Sequence, residues 1–222
     1  MTQSPTTPAL NVHKLSKKYG DFHALFPVNF SLFPGQIAIL SGPNGSGKTT
    51  LLNCISGLIL PTKGSVHVCG FDMEAHEIEI RRRLAYVPDV PRFYLELTAW
   101  EHLRFIAAAN DCLTDFEVKA ETLLRQFSLW EARETFPHHF SRGMRLKLGL
   151  LMGLIRPSAV LLLDEPTSAM DEEGVALLEA ELKTRKAQGV AILLSSHDSA
   201  FTARLADRVF RIEQGSFSEI SR

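Results

Sequence analysis

The residues Gly42, Pro43, Asn44, Gly45, Ser46, Gly47, Lys48, Thr49 and Thr50 carry the plainest chemistry in the chain. They spell Gly-x-x-x-x-Gly-Lys-Thr, preceded by the apolar run Ile37-Ala38-Ile39-Leu40 and followed by a helix-like Leu51-Leu52-Asn53-Cys54-Ile55. A strand, a glycine-punctuated turn and a helix in that order form a phosphate-cradling loop. Glycines let successive backbone N–H groups converge on an anion, and the helix adds its positive N-terminal end. Lys48 supplies a charge for the β- and γ-phosphates, and Thr49 a hydroxyl for Mg²⁺. A second group lies far along the chain, where Val160-Leu161-Leu162-Leu163 ends in Asp164-Glu165. Nucleotide hydrolysis needs a metal, a positioned water and charge stabilisation around the γ-phosphate. Asp164 at the strand tip can hold Mg²⁺ through water, and Glu165 can accept a hydrogen bond from the attacking water.

Elements that would position these groups are legible in the pattern. Alternation and turn dipeptides predict strands over 10–19 and 24–33, with Pro34-Gly35 closing the second. A third strand leads into the glycine loop, whose helix stops at Gly57. A turn at 61–64, a strand over 65–68, a charged segment over 74–83 and a strand over 84–87 follow. Pro88-Asp89-Val90-Pro91 is a loop. Thr98-Ala99-Trp100-Glu101 is a capping box opening a helix. Further helices are expected over 115–127 and 143–155, with 137–140 as loop. Strands return at 160–163 and 190–194, separated by a helix from Asp171 to about Gln188 that is acidic early and basic late, matching its dipole. The end of the chain, 208–220, reads as a hairpin across Gln214-Gly215. The pattern is an α/β domain with a helical insertion over about 89–156, a core lobe of 10–88 and 157–222, and a disordered tail over 1–9.

Composition narrows the function. The 222 residues carry 24 Lys+Arg against 25 Asp+Glu, a formal charge of −1, which gives no electrostatic case for nucleic acid. Cys54, Cys69 and Cys112 are scattered and without metal spacing, as expected of free thiols in a reducing cytosol. The N-terminus has neither the basic start nor the apolar stretch of a signal peptide. No apolar run reaches the ~20 residues of a membrane span. A role at a membrane would run through a partner.

Six groups in order then carry a family resemblance: Tyr19, Gly42 to Thr49, Phe140-Ser141-Arg142-Gly143-Met144, Leu161 to Glu165, Ser168-Ala169-Met170-Asp171, and His197. From about residue 10 onward the chain resembles the ATP-binding subunit of an ABC transporter. The resemblance implies a P-loop NTPase core with a mixed sheet, N-terminal antiparallel strands and an inserted α-helical subdomain. It further implies ATP and Mg²⁺ as cofactors, with Tyr19 stacking on adenine and His197 contacting the γ-phosphate. Ser141 and Gly143 stand where the family's signature motif begins a helix aimed at the γ-phosphate bound by the opposite subunit, and Asp171 in the loop that crosses between subunits. Two such domains, as a homodimer or a heterodimer with a similar ATPase subunit, would sandwich two ATP molecules and drive a separate membrane-spanning permease. The expected location is the cytoplasm, on the inner face of the membrane. The helical insertion, with Arg92-Phe93-Tyr94-Leu95, would offer a groove to a cytoplasmic helix of that permease.

The chain departs from the family pattern twice. Asp89 stands where glutamine is usual in the loop that reaches Mg²⁺ and the attacking water; aspartate can serve the metal but cannot donate a hydrogen bond. The signature reads Phe-Ser-Arg-Gly-Met, so Arg142 replaces a glycine and Met144 an amide. Both the Val-Pro-Asp loop and this signature look most like export-type subunits. A soluble ABC-type ATPase is the alternative, but those resemble tandem duplications or carry long coiled coils. A P-loop kinase or a switch GTPase is a third reading, and the guanine-reading Asn-Lys-x-Asp is absent.

Overall fold

The structure, a computed structural model, describes residues 7–220. Of the expected N-terminal tail, residues 1–6 lie outside the described residues, whereas Ala9 is already buried. The chain divides into two compact units. One comprises the chain up to Tyr86, Ser158–Glu165 and the chain from Leu182 on; the other comprises Val87–Pro157 and Pro166–Glu181.

The first unit begins with a long hairpin, β1 (Leu10–Tyr19) and β2 (Phe22–Leu32), whose burial alternates over Leu10–Val12 and Val28–Leu32 and is broken between them and the turn by shifts of register. β3 (Ile37–Ser41) runs into α1 (Lys48–Ile55), and β4 (Lys63–Val68), β5 (Phe71–Asp72), α2 (Glu77–Arg83) and β6 (Leu84–Val87) follow. In the second unit α3 (Ala99–Ala109), α4 (Phe116–Gln126) and α5 (Arg142–Leu154) come in succession. The chain then forms β7 (Val160–Leu163), α6 (Glu172–Ala187), β8 (Ala191–Ser195), α7 (Ser199–Leu205), β9 (Arg208–Glu213) and β10 (Ser216–Ile220).

Two sheets result. The smaller has the order β2-β1-β4-β5 with antiparallel neighbours, and the larger β10-β9-β3-β8-β7-β6. β3 lies between β8 and β9, parallel to both, and β7 is parallel to β8. Parallel strands with non-sequential neighbours need helical crossovers, and they bring the C-terminal ends of β3, β7 and β8 to one edge of the sheet. Those strands are buried on both faces, which explains their unbroken apolar sequence. Leu40, Leu51, Leu162, Leu193 and Phe210 meet in the core with Leu10 and Leu25 of the first hairpin.

Some elements differ from the sequence reading. The charged segment before β6 contains the helix α2, in which Ile80 alone is buried; Glu77–Arg81 and Glu79–Arg83 pairs four residues apart support its exposed face. α7 is a short helix capped by Asp198, whose carboxylate accepts from the N–H groups of Ala200 and Phe201. Pro137–His139, expected as loop, is one 3₁₀ turn. In α3 the capping box is complete: Glu101 N–H donates to Thr98 Oγ1 at 3.2 Å and Thr98 N–H to Glu101 Oε2 at 2.8 Å. Within the second unit, buried His102 binds Thr98 O through Nδ1 at 2.7 Å and accepts from Tyr94 N–H at 2.9 Å. That pins the 92–95 loop while Tyr94 and Leu95 stay exposed.

Candidate active site

The glycine loop leaves β3 at Ser41 and ends at the first turn of α1. Gly42 has φ +144, and a Cβ there would stand 2.1 Å from Ile212 O on β9, so no side chain fits. The β9–β10 hairpin turns through Gln214 and Gly215, both at positive φ, as a two-residue hairpin loop of type I′ requires. Gly215 N–H then donates to Ser46 O at 3.0 Å and fixes the middle of the loop. Within the loop Asn44 and Thr49 are exposed, and Lys48 is buried. The Lys48 Nζ donates to Gly42 O at 2.9 Å and Pro43 O at 3.2 Å, folding back over the cradle.

Three strand ends complete the arrangement. Leu163 pairs with Leu194 and Leu40 with Ser195, so Asp164, Ser195 and the start of the glycine loop come from adjacent strands. Asp164 is 2% exposed, and its Oδ1 accepts from Ser195 Oγ at 2.6 Å. The same hydroxyl oxygen accepts from Glu165 N–H at 2.8 Å. Glu165 itself has φ +46, in the left-handed region. That turn sends its carboxylate toward the loop: Oε1 lies 3.6 Å from Lys48 Nζ, and Oε2 lies 3.0 Å from His197 Nδ1. Lys48, Asp164, Glu165, Ser195 and His197 thus form one connected polar group at the mouth of the glycine loop. Tyr19 ends β1 with 48% of its surface exposed, and Lys17 Nζ stands 5.0 Å from its ring centre.

Ser195 was not singled out by the sequence. Its signal was a serine closing an otherwise apolar, fully buried strand. Such a hydroxyl demands partners, and those partners are the two carboxylate residues thirty positions away.

The remaining sequence-derived candidates belong to the second unit. Ser141 caps α5, its Oγ accepting from Met144 N–H at 3.2 Å. A Cβ on Gly143 would stand 2.7 Å from Ala169 O, so the first turn of α5 rests directly on the 168–171 segment. Asp171 Oδ1 accepts from Gly174 N–H at 2.9 Å and lies 3.8 Å from Lys147 Nζ. That amide first, and then the ammonium, hold the Asp171 carboxyl below the usual carboxylate range. Asp89 accepts from Ser168 Oγ at 2.8 Å. The structure therefore gathers Lys48, Asp164, Glu165 and His197 with the glycine loop in one unit, and Asp89, Ser141 and Gly143 in the other.

The residues present fit a nucleotide phosphate. Ser46 Oγ is buried and lacks a hydrogen-bond partner among the described residues, and its hydroxyl can donate to a phosphate oxygen; Glu165 Oε1, buried and likewise unpartnered, accepts only and calls for a donor such as water. Among the described residues no three His, Cys, Asp or Glu side chains converge as a metal cage. The Thr49 hydroxyl and the Asp164 carboxylate are oxygen donors, the ligand type Mg²⁺ takes together with substrate phosphates.

A glycine loop between β3 and α1, with an acidic pair at the end of a neighbouring parallel strand, defines a P-loop nucleotide hydrolase. Residues 25–168 match the family model described as ABC transporter. The chain is 32% identical to the SkfA peptide export ATP-binding protein SkfE of Bacillus subtilis (strain 168), over 95% of this chain and 87% of the relative. It is also 32% identical to the ABC-type transporter ATP-binding protein EcsA of the same organism, over 93% of this chain and 84% of the relative. A solved structure described as an ATP binding subunit of an ABC transporter superposes with a TM-score of 0.91 at 32% identity, covering 96% of this chain and 90% of that one. The chain belongs to the ABC transporter family, as an ATP-binding, ATP-hydrolysing subunit. Among the described residues no helix is long and apolar enough to cross a membrane.

Proposed function

We propose that the chain powers an export-type transporter: it binds ATP with Mg²⁺ at the cytoplasmic face and drives a separate membrane-spanning permease. The observation that carries this reading is the buried relay from Asp164 through Ser195 to Glu165, set beside Lys48 and His197 at the mouth of the glycine loop. The export direction is supported by the name of the peptide export relative. From residue 10 on, the chain acts as one ATPase domain.

The roles follow from the donor set. The loop from Gly42 to Thr50 wraps phosphate with backbone N–H groups, and Lys48 leaves the Gly42 and Pro43 carbonyls for the β- and γ-phosphates. Mg²⁺ would supply charge neutralisation on those phosphates; Thr49 and Asp164 would hold it from the glycine-loop unit, and Asp89 would serve it on the family resemblance alone. Asp164 is held by the Ser195 hydroxyl, which keeps one carboxylate oxygen directed. Glu165 orients the attacking water and accepts its hydrogen bond, and His197 steadies Glu165 while meeting the γ-phosphate. Tyr19 offers its open ring face to adenine. Ser141 and Gly143, at the N-terminus of α5, complete the site of a second copy or of a similar ATPase subunit, so two chains close around two nucleotides.

The test is Glu165→Gln with Mg-ATP on a sizing column. The expected result is an ATP-dependent dimer with turnover reduced at least a hundredfold. A variant that stays monomeric, together with a wild type lacking ATPase activity, overturns the reading. Recovery of a membrane-spanning partner from detergent extracts tests the permease.

A further inference from the structure

Asp89 and Arg142 are the two positions at which a charge enters where the resembled pattern is neutral, and they meet inside the second unit. Arg142 Nη2 lies 3.9 Å from Asp89 Oδ1, the same oxygen that accepts from Ser168 Oγ at 2.8 Å. Three separate segments contribute: the loop after β6, the first turn of α5, and the stretch before α6. Their backbones are already fastened. Gly149 of α5 stands so close to Pro91 that a Cβ would fall 2.3 Å from the proline Cγ, and Gly143 abuts Ala169 O in the same way. The loop that carries Asp89 is therefore clamped to α5 two helical turns from Arg142.

Arg142 is placed against local electrostatics. The first turn of a helix carries the positive end of the dipole and disfavours a cation. α5 has no acidic residue there to offset it, and the neighbouring Arg145 points its guanidinium at Phe140 O at 2.7 Å. A carboxylate from another segment supplies the missing negative charge. With 67% and 37% of their side chains exposed, the two groups form a screened pair that gives little stability by itself. Its effect is directional: Ser168 fixes one oxygen of Asp89, and Arg142 balances the charge.

We infer that Asp89 and Arg142 form a charge-compensated pair, with Arg142 and Ser168 acting as positioning residues for the Asp89 carboxylate. The consequence for turnover rests on the reading above, in which Asp89 serves the metal. The experiment is a cycle of Asp89→Gln, Arg142→Gly and the double variant, with Arg142→Lys and Ser168→Ala alongside. Two quantities are read: hydrogen–deuterium exchange over residues 88–92 in nucleotide-free protein, and kcat and KM for Mg-ATP. Arg142→Gly and Ser168→Ala should each raise exchange about threefold or more and lower kcat severalfold, with KM within about twofold. Arg142→Lys should keep most of the wild-type rate. The double variant should turn over at least threefold faster than the product of the single effects. Multiplicative effects with unchanged exchange overturn the pair. Raised exchange with unchanged kcat in every variant supports the pair and refutes the role of Asp89 at the metal.

Discussion

Replacing Ser195 by alanine tests the hydroxyl that ties the two carboxylate residues of the site together. The hydroxyl is fully buried, donates to Asp164 Oδ1 at 2.6 Å and accepts from Glu165 N–H at 2.8 Å. A hydrogen bond to a charged group is worth about 1.5–3 kcal/mol, and a buried polar group left without its partner costs about 1–3 kcal/mol. These terms overlap, so Ser195→Ala should lose about 3 kcal/mol of stability. For a chain of this size that is a fall of roughly 6–12 °C in melting temperature. Ser196→Ala is the control. Its hydroxyl accepts from Asp198 N–H at 3.1 Å, so its loss should stay below about 1.5 kcal/mol. Calorimetry of nucleotide-free protein gives the first readout, and Mg-ATP turnover the second. Turnover should fall at least tenfold, because neither the Asp164 carboxylate nor the Glu165 backbone would be held. If Ser195→Ala melts within about 2 °C of wild type and turns over normally, the relay is a coincidence of packing.

Other outcomes follow from the same geometry. Gly42→Ala should cost more than about 3 kcal/mol, because its Cβ meets Ile212 O at 2.1 Å and neither backbone can yield; urea unfolding reads it. The Arg208 guanidinium, bonded to both oxygens of Glu219 at 2.7 and 2.8 Å, holds that carboxyl below its usual range. The folded value is depressed, so the stabilisation is present above the unfolded carboxyl range near pH ~4.3 and is lost as pH falls through the folded value. Wild type and Glu219→Gln should therefore differ in urea midpoint at pH 7 and converge in acid. Burial pushes the Cys54 thiol up to about 11, and its side chain is 1% exposed. A maleimide at neutral pH should spare Cys54 in the folded protein while reaching the partly exposed Cys69 and Cys112.

What the sequence revealed, and what it hid, follows the range of the interactions. The glycine loop was readable because its function is carried by consecutive backbone groups. The same holds for the capping box at Thr98, where both hydrogen bonds span three residues. Buried parallel strands declared themselves through unbroken apolar runs. α2 did not, because with Ile80 as its one buried residue it has no apolar stripe to show, and its support comes from charge pairs on an exposed face. α7 hid for a different reason: at seven residues, with Phe201 and Leu205 as its buried side chains, it is too short for an apolar stripe to repeat. Ser195 and Ser168 are ordinary serines until the fold sets them against Asp164 and Asp89, 31 and 79 positions away. Nothing local marks a residue whose role is to hold another.

The left-handed backbone at Glu165 sets two kinds of selection against each other. Glutamate pays roughly 1–2 kcal/mol to sit there, a strain that glycine lacks and asparagine bears more easily. A search for heat-resistant variants, scored by survival alone, would be drawn to Glu165→Asn and Glu165→Gly while leaving Asp164 and Ser195 in place. On the role proposed for Glu165, it would return sturdy proteins that bind nucleotide without hydrolysing it. A designer seeking durability without loss of turnover must look elsewhere in the chain.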